Sequence, residues 1–188
     1  MASSSTLLSL ALLLLSASCA HAAGGGFKNI HMYMHAITSG TNATMYAVVP
    51  PLAAAGNTSF GEIQLLDNEL RDGADPATSS LLGRLQGIVA YAGLVSPPGM
   101  LTSMSFVFTA GKYNASTLVM MGTIVNINNT FERPLVGGTG AFRMTSGYCI
   151  ISNGTRLTTV SSVFDVNLYV KMERNLSLKE EGNLALDA

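Results

Sequence analysis

Lys28-Asn29-Ile30-His31-Met32-Tyr33-Met34-His35-Ala36 alternates side-chain character residue by residue. Period two is the mark of a strand with one face in a core, because successive Cβ atoms point to opposite faces. Ile30, Met32, Met34 and Ala36 share one face; His31, Tyr33 and His35 share the other. On a helix the two histidines would meet as a metal pair, but on a strand they stand about 13 Å apart, too far for one ion. They read as solvent-facing or interface residues, and no metal site is expected.

The same alternation recurs outward from this stretch, over Thr44–Val49, Phe60–Asp67, Leu82–Tyr91, Leu101–Ala110, Thr117–Ile127, Gly140–Ile151 and Thr158–Lys171. Helical periodicity is scarce, so the chain reads as all-β with about eight strands. Pro50-Pro51, Asp72-Gly73 before Asp75-Pro76, Pro97-Pro98-Gly99 and Asn153-Gly154 have turn chemistry. The last of these predicts a hairpin between the two C-terminal strands. Short links between so many strands favour a closed antiparallel barrel, which leaves no unpaired edge; a sandwich is the alternative. One domain is expected over 24–172, with its core from about Phe27 to Met172, followed by a tail over 173–188.

The glycine cluster Gly137-Gly138-Thr139-Gly140-Ala141-Phe142-Arg143 invites a nucleotide-loop reading. It has an Arg where a third glycine belongs, and a strand rather than a helix is expected after it, so the phosphate cradle is missing. These glycines are expected to supply positive φ in a turn or bulge at a barrel rim.

Leu7 to Leu15 is an almost unbroken apolar run, followed by small residues ending in Ala20-His21-Ala22, the pattern of a secretory signal peptide over residues 1–23. Cleavage would remove Cys19 and leave Cys149 as a lone thiol, expected to be buried and inert. Sequons begin at Asn42, Asn57, Asn114, Asn128, Asn153 and Asn175, consistent with an exported glycoprotein. A net charge of −1 with 11% charged residues offers no basic patch, so neither nucleic acid nor an anionic membrane is an expected partner. No Gly-x-Ser-x-Gly elbow is present and no cofactor is implied. Glu62, Asp67, Asp72 and Asp75 read as solvated turn residues rather than a catalytic pair. The ten methionines suit an adaptable cavity or, more simply, a core.

Taken in order, several motifs resemble the plant dirigent protein family. They are His31-Met32-Tyr33-Met34-His35, Asn42-Ala43-Thr44, Phe60-Gly61, Gly83-Arg84-Leu85-Gln86-Gly87, Met104-Ser105-Phe106-Val107-Phe108-Thr109, Tyr113-Asn114-Ala115-Ser116-Thr117-Leu118 and Val136 through Met144. The resemblance implies an eight-stranded antiparallel barrel of the calycin-like, allene oxide cyclase-like kind. It also implies secretion to the apoplast and homo-oligomers, as dimers or trimers. The implied activity is the orientation of phenoxy radicals or quinone methides from alcohols such as coniferyl alcohol, in lignan- or lignin-related biosynthesis. The radicals come from a separate laccase or peroxidase, so the protein itself is not an oxidative enzyme; a cyclase or isomerase role on the same barrel is the further option.

The departures from the family pattern are specific. The acid implied after the first-strand His is Ala36, the second Arg implied after the glycine motif is Ser146, position 141 is Ala, and Asp-Asp-Pro is replaced by Asp67-Asn68-Glu69. Acid–base processing of an intermediate needs a positioned acid of suitable pKa. Its loss leaves a non-catalytic phenolic-binding or defence-related barrel as the alternative function. Met34, Arg84, Gln86, Tyr113, Arg143 and Tyr148 are the ligand-pocket candidates.

Overall fold

The computed structural model describes residues 26–56, 59–95, 99–124, 130–152 and 154–172. The expected leader and tail, and the sequons at Asn57, Asn128, Asn153 and Asn175, lie outside the described residues. Ten strands form: β1 (Lys28–Ile37), β2 (Met45–Val49), β3 (Ile63–Arg71), β4 (Leu81–Tyr91), β5 (Met100–Phe108), β6 (Ser116–Ile124), β7 (Phe131–Thr139), β8 (Ser146–Ile151), β9 (Thr155–Arg156) and β10 (Ser161–Lys171). Antiparallel pairing runs β1-β10-β8-β7-β6-β5-β4-β3, and β3 pairs back to β1 through Tyr33↔Arg71 and His35↔Glu69. Eight strands therefore close a barrel. Where β1 leaves the edge of β3, β2 takes its place through Met45↔Leu66.

The expected total of eight is right, but its members differ. The strand expected over Thr44–Val49 is the accessory β2, and β7 goes unanticipated because Pro134, Gly137 and Gly138 read as breakers. Two local features admit them. The β6–β7 ladder shifts register between Met120↔Leu135 and Val119↔Gly137, and no β6 pairing extends past Leu135, so Pro134 sits where its missing N–H is not required by β6. Gly137 adopts φ 137° at the shift.

Three boundaries also move. The segment expected as one strand from Gly140 begins as a 3-10 turn, Gly140–Phe142, and only Ser146 starts β8. Gly140 has φ 59°, and a Cβ there would strike the Ser116 hydroxyl that accepts the Ala141 N–H at 3.0 Å. A Cβ at Gly138 would collide with the Thr117 carbonyl and Phe142 Cβ. These glycines thus let the chain fold over the barrel end. Gly154 is not a hairpin turn: β9 continues along β10 beside β8, and the reversal lies at Leu157–Ser161, closed by Leu157 N–H to Ser161 O at 2.9 Å. β3 starts later and runs further than expected, to Arg71, because Arg84 and Arg71 pair with the acids Asp67 and Glu69 on its outer face.

Inward side chains fill the two halves of the barrel differently. At the end bearing the 72–80, 109–115 and 140–145 loops, Phe106, Phe108, Phe142, Leu118, Leu168 and Val170 are buried. Phe108, Phe142 and Tyr113 pack as a trio, with centroids 4.9 to 5.7 Å apart. Cys149 is a buried free thiol, pushed up to about 12 by burial, as a structural cysteine should be. His31 is exposed and meets Asp165 at 2.7 Å. His35 is buried, contrary to its expected solvent-facing place, because its Nε2 lies 3.1 Å from the Gly73 carbonyl in the loop folded against β1.

Candidate functional site at the open end of the barrel

The opposite half of the barrel holds a cavity of about 310 Å³. Its walls are Met34, Met45, Leu66, Leu85, Val89, Met100, Met104, Ile124 and Ile151, with Phe131 and Phe164 toward the rim. Four unbranched, polarizable methionine side chains on an apolar wall adapt to flat ligands better than branched residues do. The methionines are thus divided, since Met32 and Met120 belong to the packed core and Met121 and Met144 are exposed.

Four polar residues join this wall. Asn68, buried on β3, accepts a hydrogen bond from Thr44 Oγ1 at 2.5 Å, and its Nδ2 lies 3.5 Å from Met34 Sδ. Gln64 Nε2 donates to Glu62 at 2.5 Å. Tyr91 is half-buried; desolvation and the nearby Glu62 push its phenol above the ordinary value, while a hydrogen bond with Gln64 opposes them. It therefore presents a neutral hydroxyl at physiological pH.

Arg133 is the fourth, and it is only 2% exposed. Its Nη1 donates to Thr102 Oγ1 at 2.8 Å, and its guanidinium lies 5.0 Å from the centre of the Phe131 ring. Thr102 is free to accept because its own proton goes to the Gly122 carbonyl at 2.9 Å, in the stretch of β6 that β7 does not pair. Nε has no partner, and no ion pair joins Arg133 to a carboxylate among the described residues. Burial lowers its pKa to about 10, so it remains a cation at neutral pH. Among the described residues that line the cavity it is the sole formal charge.

Of the six ligand-pocket candidates, Met34 alone lines this cavity. Arg84 and Gln86 line a groove on the outside of β3 and β4, about 660 Å³ in volume, with Tyr46, Leu65 and Ile88. There Arg84 is tied to Asp67 at 2.5 Å. Tyr113 belongs to the aromatic trio at the other end. Arg143 is exposed on the loop before β8, and Tyr148 stacks on Tyr169 with centroids 4.8 Å apart. Ser146 is exposed opposite Lys171, and Ala141 is exposed in the 3-10 turn that precedes β8. Ala36 is buried, but it faces a separate cleft of about 530 Å³ shared with His35, Asn42, Thr44 and Glu69. Asp72 and Asp75 serve turns: Asp72 accepts the Ser80 N–H and Asp75 the Ala77 N–H.

Arg133, Tyr91, Phe131 and Phe164 went unnoticed in the sequence. The parity of β7 carries the missing signal, since Phe131, Arg133 and Leu135 share one face, and it is legible only once Pro134 is accepted inside a strand.

The geometry agrees with three comparisons. A family model described as "Dirigent-like protein" matches residues 27–171. Dirigent protein 21 of Arabidopsis thaliana is 34% identical over 144 residues, 76% of this chain and 75% of that protein. Pterocarpan synthase 1 of Glycyrrhiza echinata is 33% identical over 125 residues, 65% of each chain. The solved structure of the pterocarpan synthase dirigent protein GePTS1 superposes with a TM-score of 0.68 at 27% identity, covering 79% of this chain and 91% of that one. A barrel closed by eight antiparallel strands, a glycine-built cap at one end and a family match spanning β1 to β10 converge, and the chain belongs to the dirigent-like protein family.

Proposed function

We propose that the protein holds one phenol-derived reactive intermediate in the open-end cavity, so that bond formation takes place on one of its faces. The observation that carries this reading is the volume and lining of the cavity within a dirigent-family barrel. About 310 Å³ corresponds to roughly ten waters at ~30 Å³ each, which suits one aromatic ring with a short side chain better than a coupled dimer. The partner unit, or the intramolecular nucleophile, then meets the exposed face at the rim. Control of this kind works by orientation: the pocket removes the competing approach geometries.

The substrates on this reading are monolignol radicals such as that of coniferyl alcohol, generated by a separate laccase or peroxidase that takes one electron and one proton from each phenol. Coupling joins two radicals by one electron pair and consumes no oxidant of its own. The protein is then a secreted, glycosylated apoplastic auxiliary in lignan- or lignin-related metabolism and a homo-oligomer, dimeric or trimeric. Exposed Asn42 and Asn114 are suited to carry glycans. Relatives called pterocarpan synthases widen this reading from monolignol coupling to other phenol-derived intermediates, quinone methides among them.

Three observations favour the non-catalytic phenolic-binding alternative: among the described residues no carboxylate lines the cavity, Ala36 faces another cleft and Ser146 lies outside. Tyr91 is then the acid within reach of a bound ligand. Laccase-driven coupling of coniferyl alcohol, with and without purified protein, separates the two readings. Enantiomeric excess only with the protein supports orientation control; racemic product together with measurable ligand binding supports the binding role.

A further inference from the structure

We propose that Arg133 is a receptor for the carboxylate of a small aromatic acid, so that the cavity prefers hydroxycinnamate-type ligands to the corresponding neutral alcohols. The proposal rests on the cavity's being the ligand site, and it adds a charge requirement to that reading.

The first ground is electrostatic. A guanidinium taken out of water loses hydration that a counter-ion or a full set of acceptors must replace. Among the described residues Arg133 has the Thr102 hydroxyl, the Phe131 ring face and the soft sulfur of Met104 at 4.0 Å, but no carboxylate, and its Nε is unbonded. The fold therefore maintains an unneutralised cation on the wall of an apolar cavity, where an incoming anion would supply what is missing.

The second ground is positional. Thr102 fixes one arm of the guanidinium and Phe131 lies against it, so the group is held by its surroundings before any ligand arrives. A planar fork presents paired donors that match a carboxylate better than a single phenol oxygen, and such charge-assisted pairs are about twice as strong as neutral ones. Asn68 and the Tyr91 hydroxyl, both neutral, remain for the polar groups at the far end of the ligand.

Binding of three probes to the full mature chain, measured by calorimetry, tests this: ferulate, 3,4-dimethoxycinnamate and coniferyl alcohol. The wild type should bind both acids about tenfold or more tighter than the alcohol. Arg133→Met should erase that preference while leaving the alcohol within about threefold, and Arg133→Lys should retain part of it. Circular dichroism and thermal melting establish that each variant is folded, and Thr102→Val, which frees the guanidinium without removing it, should weaken the acids alone. Equal affinity for all three probes in the wild type, or ferulate binding unchanged in a folded Arg133→Met, overturns the proposal. Tight ferulate with weak 3,4-dimethoxycinnamate moves the contact to the phenol oxygen and overturns the carboxylate assignment. Failure of all three probes to bind overturns the ligand-site reading itself, whereas binding without discrimination leaves that reading standing and removes only the role of Arg133.

Discussion

The two ends of this barrel are built on opposite principles. At the end carrying the glycine motif, Gly138 and Gly140 let the chain fold over the opening, and Phe142 drops against Phe108 and Tyr113 to seal it. At the other end methionines, half-buried aromatics and a cation surround empty volume. The first end minimises voids, and the second keeps one. The residues that mark the family most clearly thus build the plug, while those proposed to set ligand chemistry stand at the opposite end. A chain can retain the marker in full and still change what it handles.

If that division is correct, mutations at the two ends should separate stability from ligand handling. The largest effect is expected at the sealed end. Phe142→Ala removes a fully buried ring from the aromatic trio and should cost about 3–5 kcal/mol in urea unfolding, with ligand affinity of the folded fraction unchanged. Loss of affinity at full foldedness would break the comparison.

Next in size is the polar bridge under the cavity. Thr44→Val deprives the buried Asn68 carbonyl of its donor and should destabilise by about 1–3 kcal/mol. The same substitution removes the sequon at Asn42, so Asn42→Gln is the control for glycan loss.

Arg133 should behave in the opposite sense. Arg133→Met replaces a buried, unneutralised charge by an apolar chain of similar length and should stabilise by about 1–3 kcal/mol, although it weakens anion binding. The pH dependence follows from the folded pKa of about 10, well below the ordinary arginine value. The charged form is the disfavoured one in the fold, so the penalty is fully present below about pH 10 and recedes above it, where the folded arginine releases its proton before the unfolded one does. The gap in melting temperature between the variant and the wild type should be flat from pH 6 to 9 and narrow above 10. A gap that vanishes near neutrality would mean that an anion already neutralises Arg133.

The smallest effect belongs to the outer wall. His31→Ala removes an exposed contact with Asp165 and should change stability by less than about 1 kcal/mol, without altering ligand binding.

The same division explains what the sequence disclosed. Strands whose inner face is packed, such as Met32-Tyr33-Met34, alternate cleanly and are legible, as is the buried thiol of Cys149. β7 is not, because Pro134 and paired glycines contradict strand propensity, and only the interrupted β6–β7 ladder shows why they are tolerated. That oversight hid Arg133, two residues from Leu135 on the same face. Arg84, Gln86 and Tyr148 were visible as polar residues in family motifs, yet parity places them on the outer wall, and sequence cannot tell which face of a strand becomes the lumen when neither is uniformly apolar. His35 misled for a related reason: its burial comes from the 72–80 loop, a contact 38 residues away.

On the proposed function the cavity, and not the glycine-marked end, governs the outcome of the reaction. Enantiomeric excess in laccase-driven coupling of coniferyl alcohol, compared between the wild type and Val89→Phe, tests it most directly, because a phenyl group at Val89 fills the cavity from the β4 wall. Stereochemical excess is expected with the wild type and racemic product with a folded Val89→Phe. Undiminished excess in the filled variant would contradict it.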